Sequence, residues 1–408
     1  MNTDRPVNRR DFLAEAGSAA LSLGVLASRP GVAQAARTKV KLGLIGCGSR
    51  GVWIMNRFKK HGGFELHACA DYFPDRVKIY GNKFDIPSHR RFTTLSSYRA
   101  LLDSGVEAVA IESPPYFHPQ QVADAIDAGL HVYVAKPIAV DVPGCRSIER
   151  SGLKATEKKR CLLVDFQTRA NDYYREGIKR MHAGALGTLT FGEATYHAEI
   201  PWADRLKMHR EGAHDPEIRL RTWTVSRPFS GDIITEQNIH TLDVMSWMMQ
   251  TPPLHAMGTG GHKVRGAGDC YDHFACLYQY GDGVGITFSS RQFPGHGVKP
   301  DGIVNRIFGS LGVLQTEYGG RVLIRGKHFY KGGKTGGIYE SGVKNNIATF
   351  YRNITEGHYG NDTVAPSVQS NLITILGRTA AYQRDTVTWE RLMKSTEVME
   401  PDLRGLKT

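Results

Sequence analysis

The chain has 408 residues, which is long enough for two packed domains with hydrophobic cores. Hydrophobic residues make up 41% and charged residues 23% of it, values typical of a soluble globular protein. The formal net charge is +12, but Lys and Arg are scattered and form no run of five or six. Composition therefore favours a mildly basic soluble enzyme over a nucleic-acid-binding protein.

The N-terminal segment resembles an export signal. It contains the pair Arg9 and Arg10, a weakly apolar stretch over 20–27, and an A-x-A pattern over 33–35. Paired arginines before such a stretch are typical of signals that export folded proteins, and the stretch is shorter than the roughly 20 residues that span a membrane. We therefore predict a twin-arginine signal over 1–36 and a soluble periplasmic or secreted mature protein. A short amphipathic helix is the alternative.

The six cysteines show no C-x-x-C pattern, which disfavours a zinc ribbon or a redox dithiol. Most of them lie among apolar residues and are predicted to be core residues. A disulfide between Cys270 and Cys276 is conceivable in an oxidising compartment. Their closeness on one predicted strand argues against it.

From residue 39 onward, short apolar segments alternate with helical ones. The predicted strands are 39–46, 64–71, 106–113, 131–137 and 161–167, and the predicted helices are 50–61, 95–103, 118–128 and 141–159. Continuous apolar runs are typical of buried parallel strands. Their alternation with helices predicts right-handed βαβ units in a doubly wound sheet.

A glycine-rich loop follows the first predicted strand. Gly46-Cys47-Gly48-Ser49-Arg50-Gly51 is a G-x-G-x-x-G pattern that opens a helix, and Asp71 ends the next strand 20 residues beyond Gly51. Such glycines let backbone amides approach a pyrophosphate, and a carboxylate at this spacing meets the adenosine ribose. We therefore predict NAD binding by Gly46, Gly48, Ser49, Arg50, Gly51 and Asp71. Arg76 keeps NADP possible, and a turn without a ligand is the alternative.

After residue 185 the pattern changes to longer, half-exposed strands with glycine-containing turns, typical of antiparallel sheet. Helices are predicted over about 232–249 and over 366–384, and the segment 200–228 is predicted to be irregular. The predicted fold class is α/β, with a doubly wound Rossmann domain over 37–165. A C-terminal α+β domain with a large, mostly antiparallel open sheet is predicted over 166–385, followed by a tail over 386–408.

The predicted helix over 232–249 carries Glu236, His240 and Asp243 but no Lys or Arg. At about 100° per residue, these three side chains fall on one narrow stripe. The remaining positions are apolar or uncharged apart from Asp232, a predicted N-cap. The helix should therefore be mostly buried, with its acidic stripe facing a cleft, a ligand or a partner charge.

The chain beyond the signal resembles the glucose–fructose oxidoreductase/inositol dehydrogenase/MocA (Gfo/Idh/MocA) family. The resemblance is carried by GLIGCGSRG (43–51), SPPYFHPQQVADAIDAGLHVYVAKP (113–137), GDIITEQNIHTLDVMSW (231–247) and SNLITILGRTAAY (370–382). It implies a Rossmann domain and an open-sheet domain that binds substrate and forms homodimers or homotetramers. It also implies sugar or cyclitol substrates, and a tightly bound NAD in exported members.

The resemblance also implies roles for individual residues. The sequence AKP over 135–137 aligns with the family's E-K-P, which implies that Lys136 reaches the reacting hydroxyl and that Pro137 shapes the turn beneath the nicotinamide. Ala135 stands where the family has Glu, and the missing negative charge should lower the pKa of Lys136. The family's second signature corresponds to Glu236, His240 and Asp243, with Glu where Asp is commoner.

Three interpretations of this signature remain open. In the catalytic one, His240 or the Lys136–His240 pair takes the hydroxyl proton as hydride leaves for the nicotinamide. Glu236 then positions the sugar, and Asp243 holds the imidazole tautomer. A metal site is the second interpretation, but no second histidine cluster completes it, so no metal is expected. The third is a satisfied polar network in the core.

Further site candidates follow from their positions. Pro114 and His118 are expected at the nicotinamide side with Lys136. Gln167 and Arg169 follow a strand end where a sugar would lie, and Trp223 belongs to a segment whose Arg, His and Trp suit sugar stacking. Each could equally be structural.

Three functions agree with these features. The first is an NAD(P)-dependent oxidoreductase acting on a sugar or sugar derivative. The second is an NAD-dependent glycoside hydrolase that uses transient oxidation and elimination, and the third is a non-catalytic sugar-binding protein. Neither a nucleic-acid partner nor membrane insertion is expected.

Overall fold

The computed structural model describes residues 39–298 and 301–408, so the predicted export signal lies outside the described residues. All six cysteines are buried and free, which confirms them as core residues and leaves Cys270 and Cys276 unbridged. No helix in the described part of the chain combines the length and hydropathy needed to cross a bilayer.

The first sheet confirms the predicted doubly wound domain. Its six parallel strands have the order β3-β2-β1-β4-β5-β6. The strands are β1 (Val40–Ile45), β2 (Phe64–Asp71), β3 (Arg91–Thr93), β4 (Ala108–Ile111), β5 (His131–Ala135) and β6 (Leu162–Asp165). The helices are α1 (Ser49–His61), α2 (Pro74–Lys83), α3 (Tyr98–Leu102), α4 (His118–Asp127) and α5 (Val142–Glu157). The strand order reverses between β1 and β4, and ligands of such sheets bind at that reversal.

The second sheet confirms the predicted open, mostly antiparallel arrangement. Its order is β14-β13-β12-β11-β7-β10-β9-β8-β15, and among the described strands only the β7–β10 pair is parallel. The strands are β7 (Leu189–Ala198), β8 (His255–Gly261), β9 (His273–Gln279), β10 (Gly285–Gln292), β11 (Gly302–Gly309), β12 (Gly312–Glu317), β13 (Arg321–Gly326), β14 (Tyr330–Lys334) and β15 (Val387–Thr388). Burial alternates along β9 and β10, so one face of the sheet is packed and the other is open.

The remaining helices all follow β6 in the described chain. They are α6 (Asp172–Arg180), α7 (Ala203–Gly212), α8 (Pro216–Arg221), α9 (Arg227–Ser230), α10 (Ile233–Glu236), α11 (Ile239–Met249), α12 (Ile338–Glu356), α13 (Val364–Gln383) and α14 (Trp389–Met393). The segment predicted as irregular, 200–228, is therefore largely helical. Asp215 caps α8 by accepting the amide of Glu217, with Pro216 at the first helical position, a start signal that the sequence contains.

Packing crosses the predicted domain boundaries. Val343, Ile347 and Phe350 of α12 share one buried cluster with Leu42 and Tyr133 of the first sheet. A helix far along the chain therefore completes the N-terminal core. Likewise β15, within the predicted tail, pairs with β8 of the second sheet.

The predicted continuous helix over 232–249 is divided into α10 and α11. Asp232 caps α10 through a bond to the Ile233 amide, as predicted. At the division, the Asn238 amide donates to the Ile233 carbonyl at 2.8 Å, and the His240 amide donates to the Gln237 carbonyl at 3.2 Å. The helical-wheel stripe therefore does not extend across the division.

A buried ion pair fixes α11 against the loop after β6. Arg169 donates from Nε to both oxygens of Asp243, at 2.9 and 3.0 Å, and its guanidinium lies 5.3 Å from the Trp247 ring centre. Ser370 also donates to Asp243, whose side chain is fully buried. Removal of either side chain of such a bidentate pair would leave the other charge buried and unpaired, which strongly destabilises the fold.

We expect Arg169→Met to lower the free energy of unfolding by about 3 kcal/mol, because it leaves the Asp243 carboxylate buried and unpaired. The double variant Arg169→Met/Asp243→Leu should recover most of that loss in urea unfolding. Arg180→Met, which removes an exposed pair with Glu176, is the matched control and should change stability by less than about 0.5 kcal/mol. Equal losses for Arg169→Met and the control would contradict this role.

Candidate active site

The glycine loop has the geometry of a pyrophosphate cradle. A Cβ on Gly46, whose φ is +98°, would lie 2.7 Å from the backbone of Glu112, and a Cβ on Gly51 would lie 2.0 Å from the Gly46 carbonyl oxygen. Gly48 differs, since the nearest atom to its Cβ would be Arg76 Nη1 at 3.8 Å. Packing therefore requires the first and third glycines, and the second leaves open space at the N-terminus of α1, where a phosphate binds.

Asp71 lies at the end of β2 beside this loop. Its Oδ2 accepts the Cys47 amide at 2.7 Å and its Oδ1 accepts the Phe73 amide at 2.9 Å. Each oxygen keeps a second lone pair for a ribose hydroxyl. Burial raises the pKa of Asp71, and the positive charge of Arg76 opposes that rise.

A cavity of about 560 Å³ extends from the loop along the first sheet. It is lined by most of the predicted cofactor residues, namely Gly46, Gly48, Ser49, Arg50, Asp71, Arg76 and Pro114. Gly51 packs behind the loop instead. We call this space the cofactor cavity, and its position at the reversal of strand order fits a dinucleotide.

A second cavity of about 530 Å³ adjoins the first and shares Ser49, Arg50, Glu112, Arg205 and Trp223 with it. We call it the substrate cavity. The structure brings several predicted residues together on its walls, namely His118, Lys136, Gln167, Trp223, Glu236 and His240. It also contains residues that the sequence did not reveal, namely Trp53, Glu112, Asp165, Tyr196, Trp202, Arg205, Tyr318 and Tyr339.

Two predicted substrate residues do not line this cavity. Arg169 and Asp243 bond to each other, so neither is free to contact a ligand there. Asp243 also cannot hold the His240 imidazole as predicted, because Arg169 and Ser370 occupy its oxygens. The structure thus replaces the predicted substrate role of this pair with a structural one.

Lys136 joins the two domains inside the substrate cavity. Its Nζ donates to the main-chain carbonyl of Glu236 at 2.6 Å and lies 3.6 Å from Glu236 Oε1. The helix division makes this possible, because the His240 amide bonds to the Gln237 carbonyl and not to that of Glu236. Burial lowers the pKa of Lys136 and the carboxylate of Glu236 partly restores it. The lysine is held in place while its amine is made easier to deprotonate.

His240 is neutral in this setting. Burial lowers its pKa well below the ordinary value, and the positive charges of Lys136 and Arg50 lower it further. Its Nδ1 has no hydrogen-bond partner among the described residues, and its ring lies 5.5 Å from that of Tyr318. This pKa lies below the ordinary histidine value that the prediction assumed, and the catalytic role of His240 stays a prediction.

His118 fixes the floor of the substrate cavity. One ring nitrogen lies 2.8 Å from the Pro137 carbonyl and the other 2.8 Å from the Ser113 carbonyl. Burial lowers its pKa to about 4. A neutral imidazole donates to only one of these two carbonyls, and either bond holds His118 beside the turn that carries Lys136.

A charged network that the sequence did not reveal lies where the two cavities meet. Arg50 donates to Asp165 at 2.5 Å and to Glu112 at 3.3 Å, and it packs against the rings of Trp53 and Tyr339. Glu112 directly follows β4, and Asp165 ends β6. An acidic residue at the carboxyl end of a buried strand is the signal that could have found both.

Several walls of the substrate cavity carry buried polar atoms without a hydrogen-bond partner in the described chain. These atoms are Arg50 Nη1, Glu112 Oε1, Gln167 Oε1, Thr224 Oγ1, Glu236 Oε2 and His240 Nδ1. Leaving such atoms unpaired costs free energy, so groups of them mark sites that bind polar ligands. All but the Arg50 nitrogen can accept a hydrogen bond, which suits a ligand with many hydroxyl groups.

A covering segment, residues 203–225, contributes Arg205, Leu220, Arg221 and Trp223 to the wall of the cofactor cavity. Arg221 bonds to both oxygens of Asp75 at 3.1 and 3.2 Å and lies 3.9 Å from the Phe73 ring centre.

The end of the chain reinforces the covering segment. Leu406 packs with Phe73 and Leu220, and the Lys407 carbonyl accepts the Leu95 amide at 3.0 Å. Chain segments from both domains therefore line the cofactor cavity.

We expect Gly48→Ala to weaken NAD binding by about tenfold or more without lowering the melting temperature, because its Cβ would occupy only the open space of the cradle. Gly281→Ala, whose Cβ would have no neighbour within 4 Å, is the control. Isothermal titration with NAD measures the effect. Unchanged affinity for Gly48→Ala would show that the pyrophosphate lies elsewhere.

Two family models match the chain. The oxidoreductase family model with an NAD-binding Rossmann fold (GFO_IDH_MocA) matches residues 40–166, and the GFO/IDH/MocA C-terminal domain model matches residues 174–315. Among curated proteins, an alpha-N-acetylgalactosaminidase of Shewanella oneidensis is 29% identical over 182 residues. That match spans 43% of this chain and 38% of the relative.

Solved structures show the same fold. Aldose-aldose oxidoreductase of Caulobacter crescentus, complexed with glycerol, superposes with a TM-score of 0.67 at 18% identity, covering 86% of this chain and 99% of the other. An oxidoreductase of Agrobacterium radiobacter in complex with NAD⁺, L-tartaric acid and magnesium gives 0.68 at 18% identity, covering 86% and 98%. The chain therefore belongs to the Gfo/Idh/MocA oxidoreductase family, with its NAD-binding Rossmann fold.

Proposed function

We propose that the protein is an NAD-dependent oxidoreductase that oxidises a secondary hydroxyl of a sugar or sugar derivative. The observation that carries the proposal is the substrate cavity, whose walls place Lys136 beside several unpartnered polar atoms next to the cofactor cavity. A concave site with a few convergent polar groups and aromatic walls suits a polyhydroxylated ligand.

Lys136 acts as the base in this proposal. Its lowered pKa favours the neutral amine, which accepts the proton of the reacting hydroxyl. The Glu236 carbonyl, 2.6 Å from Nζ, then stabilises the ammonium that forms. Bound NAD supplies the hydride acceptor.

The other walls orient the sugar. Neutral His240 hydrogen-bonds a hydroxyl, and Gln167 and Glu236 offer acceptors to neighbouring hydroxyls. Trp202 and Trp223 provide flat apolar surfaces on which a sugar ring packs. These contacts hold the reacting carbon near the cofactor cavity and exclude water.

The covering segment beside the cofactor cavity favours a second candidate, an NAD-dependent glycoside hydrolase. In such a reaction the sugar is oxidised, the glycosidic substituent is eliminated, water adds to the resulting double bond and the hydride returns, so the cofactor need not leave. The covering segment fits this requirement, and the alpha-N-acetylgalactosaminidase named above shares part of the sequence.

Export and assembly also belong to the proposal. We propose export by the twin-arginine route from the Arg9-Arg10 pattern, with NAD loaded before export. We further propose a homodimer or homotetramer through the open face of the second sheet, where Phe191 stacks on Phe308 and remains 47% exposed.

We expect the protein, purified from cells, to carry bound NAD that is visible in its absorbance spectrum. A panel of free sugars and chromogenic glycosides then separates the candidates. Net reduction of the cofactor indicates an oxidoreductase, whereas release of the chromophore without net cofactor change indicates a hydrolase. Absence of both activities from wild-type protein loaded with NAD would contradict the proposal.

We expect Lys136→Met to lower kcat by at least about 100-fold while leaving bound NAD in place, because it removes the base without touching the glycine loop. Lys154→Met, at an exposed lysine on α5, is the matched control. If Lys136→Met kept wild-type kcat, another group would have to be the base.

We expect Arg221→Ala/Leu406→Ala to speed NAD release by about tenfold, because it removes the ion pair and the apolar contact that hold the covering segment. Retention of NAD after gel filtration measures the effect, with Arg180→Met as control. Unchanged release would show that the segment does not retain the cofactor.

A further inference from the structure

Arg265, Gln292 and Gln237 form a chain of hydrogen bonds that ends at the substrate cavity. Arg265 is only 4% exposed, and its Nη1 donates to Gln292 Oε1 at 2.7 Å. Gln292 is fully buried, and its Nε2 donates to Gln237 Oε1 at 2.6 Å. Gln237 belongs to the wall of the substrate cavity. The chain therefore runs from a buried guanidinium to an amide on the cavity wall.

The direction of this chain fixes the amide of Gln237. A guanidinium has donors only, so Gln292 has to turn its oxygen toward Arg265 and its nitrogen toward Gln237. The oxygen of Gln237 thereby acts as an acceptor, and its Nε2 has no hydrogen-bond partner in the part of the chain that the structure describes. Gln237 therefore offers a donor to a ligand, whereas most unpartnered atoms of the other walls are acceptors.

The charge at the start of the chain strengthens this donor. Arg265 forms no ion pair with a described carboxylate, and its Nε and Nη2 have no described hydrogen-bond partner. Hydrogen bonds in a chain polarise one another, and here the first donor is ionised. The Nε2 of Gln237 should therefore favour a negatively charged acceptor, because hydrogen bonds to ionised groups are the stronger ones.

A second cation near this donor has no counter-ion. The charge of Lys136 is paired with that of Glu236 at 3.6 Å, and Arg50 lies between two carboxylates. Arg205, on the wall of the same cavity, is half-buried, and its guanidinium forms no hydrogen bond or ion pair with any residue that the structure describes. An arginine stays charged at every physiological pH, so a partly desolvated one favours an anionic ligand.

The two features act on the same part of the cavity. Burial and the positive charge of Arg76 lower the pKa of Arg205, and the carboxylate of Glu236, the residue before Gln237, raises it. The field of Arg205 therefore reaches the region of Gln237. Repulsion of a ligand carboxylate by Glu236 is reduced there, because Lys136 lies 3.6 Å from its Oε1.

We propose that the substrate is a sugar acid, such as a hexuronic acid or its glycoside, whose carboxylate accepts a hydrogen bond from Gln237 in the field of Arg205. The inference rests on the proposed function and names the substrate class of that site. Gln292 and Arg265 do not line the cavity, so they are positioning residues that fix the amide of Gln237. The accepting walls take the hydroxyl groups, and the net charge of +12 attracts an anionic sugar.

The first test is isothermal titration of NAD-loaded protein with sugar pairs that differ only at C6. The pairs are D-glucuronate with D-glucose and D-galacturonate with D-galactose. We expect at least one uronate to bind at least about tenfold more tightly than its neutral counterpart, because only the uronate gains a hydrogen bond to an ionised group. If neither uronate binds more tightly, the proposal is overturned.

Two variants locate the carboxylate. Gln237→Leu and Arg205→Met should each weaken binding of the preferred uronate by about tenfold and leave its neutral counterpart within about threefold. Arg210→Met, at an exposed arginine of the same helix α7, is the matched control for Arg205→Met. Weaker NAD binding with an unchanged uronate preference in Arg205→Met would assign that charge to the cofactor and overturn the proposal.

Gln292→Glu tests the positioning role. The new carboxylate accepts from Arg265 and cannot donate to Gln237, so the Gln237 amide has to turn and present Oε1 to the cavity. The uronate preference should fall by about tenfold, and the melting temperature should not fall because Arg265 gains an ionic partner. Gln383→Glu, exposed at the end of α13, is the control. An unchanged uronate preference in Gln292→Glu would overturn the positioning role.

Binding and turnover separate this inference from the proposed function. A uronate preference in the titrations supports the substrate class even if NAD is never reduced, an outcome that contradicts only the oxidoreductase. Oxidation of neutral sugars without a uronate preference would support the proposed function and overturn this inference.

Discussion

The hydrogen bond from Lys136 to the carbonyl of Glu236 is the interaction on which the site depends. It links the end of β5 in the first domain to the division between α10 and α11 in the second. A continuous helix would use that carbonyl for its own amide four residues later. The local departure from helical geometry therefore creates an acceptor for a buried cation, which burial would otherwise penalise strongly.

The charges of the site form one coupled system. Arg50 and Lys136 supply the positive groups, and Glu112, Asp165 and Glu236 supply the negative ones. Because these groups are buried together, protonation of one changes the proton affinity of the others. The alanine at position 135 is consistent with this balance, since carboxylates on both neighbouring strands already provide negative charge at its level.

The sequence predicted the first domain well because its signals are local. Strand–helix alternation, the glycine loop and Asp71 all depend on residues close together in the chain, and the structure places them around one cavity. Helix α12 was not predicted. It completes the core of a domain that begins about 300 residues earlier in the chain, and no local sequence pattern predicts such a long-range contact.

The candidate site was predicted only where its residues belong to local sequence motifs. Lys136, Glu236 and His240 were found through their motifs and do lie together. Asp243 does not face the cavity as predicted, because the helical wheel assumes an unbroken helix. No sequence pattern indicates that Lys136 donates to the Glu236 carbonyl. Tertiary packing determines which arginine pairs with Asp243 and with Glu112, so these ion pairs could not be predicted from the sequence.

The covering segment would place a demand on the reaction. If it retains NAD between turnovers, the hydride has to return to a ligand in the adjoining substrate cavity. That return also consumes a proton, whether the hydride goes back to the eliminated sugar or to a second carbonyl substrate. Lys136, held at the Glu236 carbonyl within the substrate cavity, can take up the proton during oxidation and return it during reduction. Hydride and proton would then both remain within the protein until the product forms, a common requirement of the two candidate reactions.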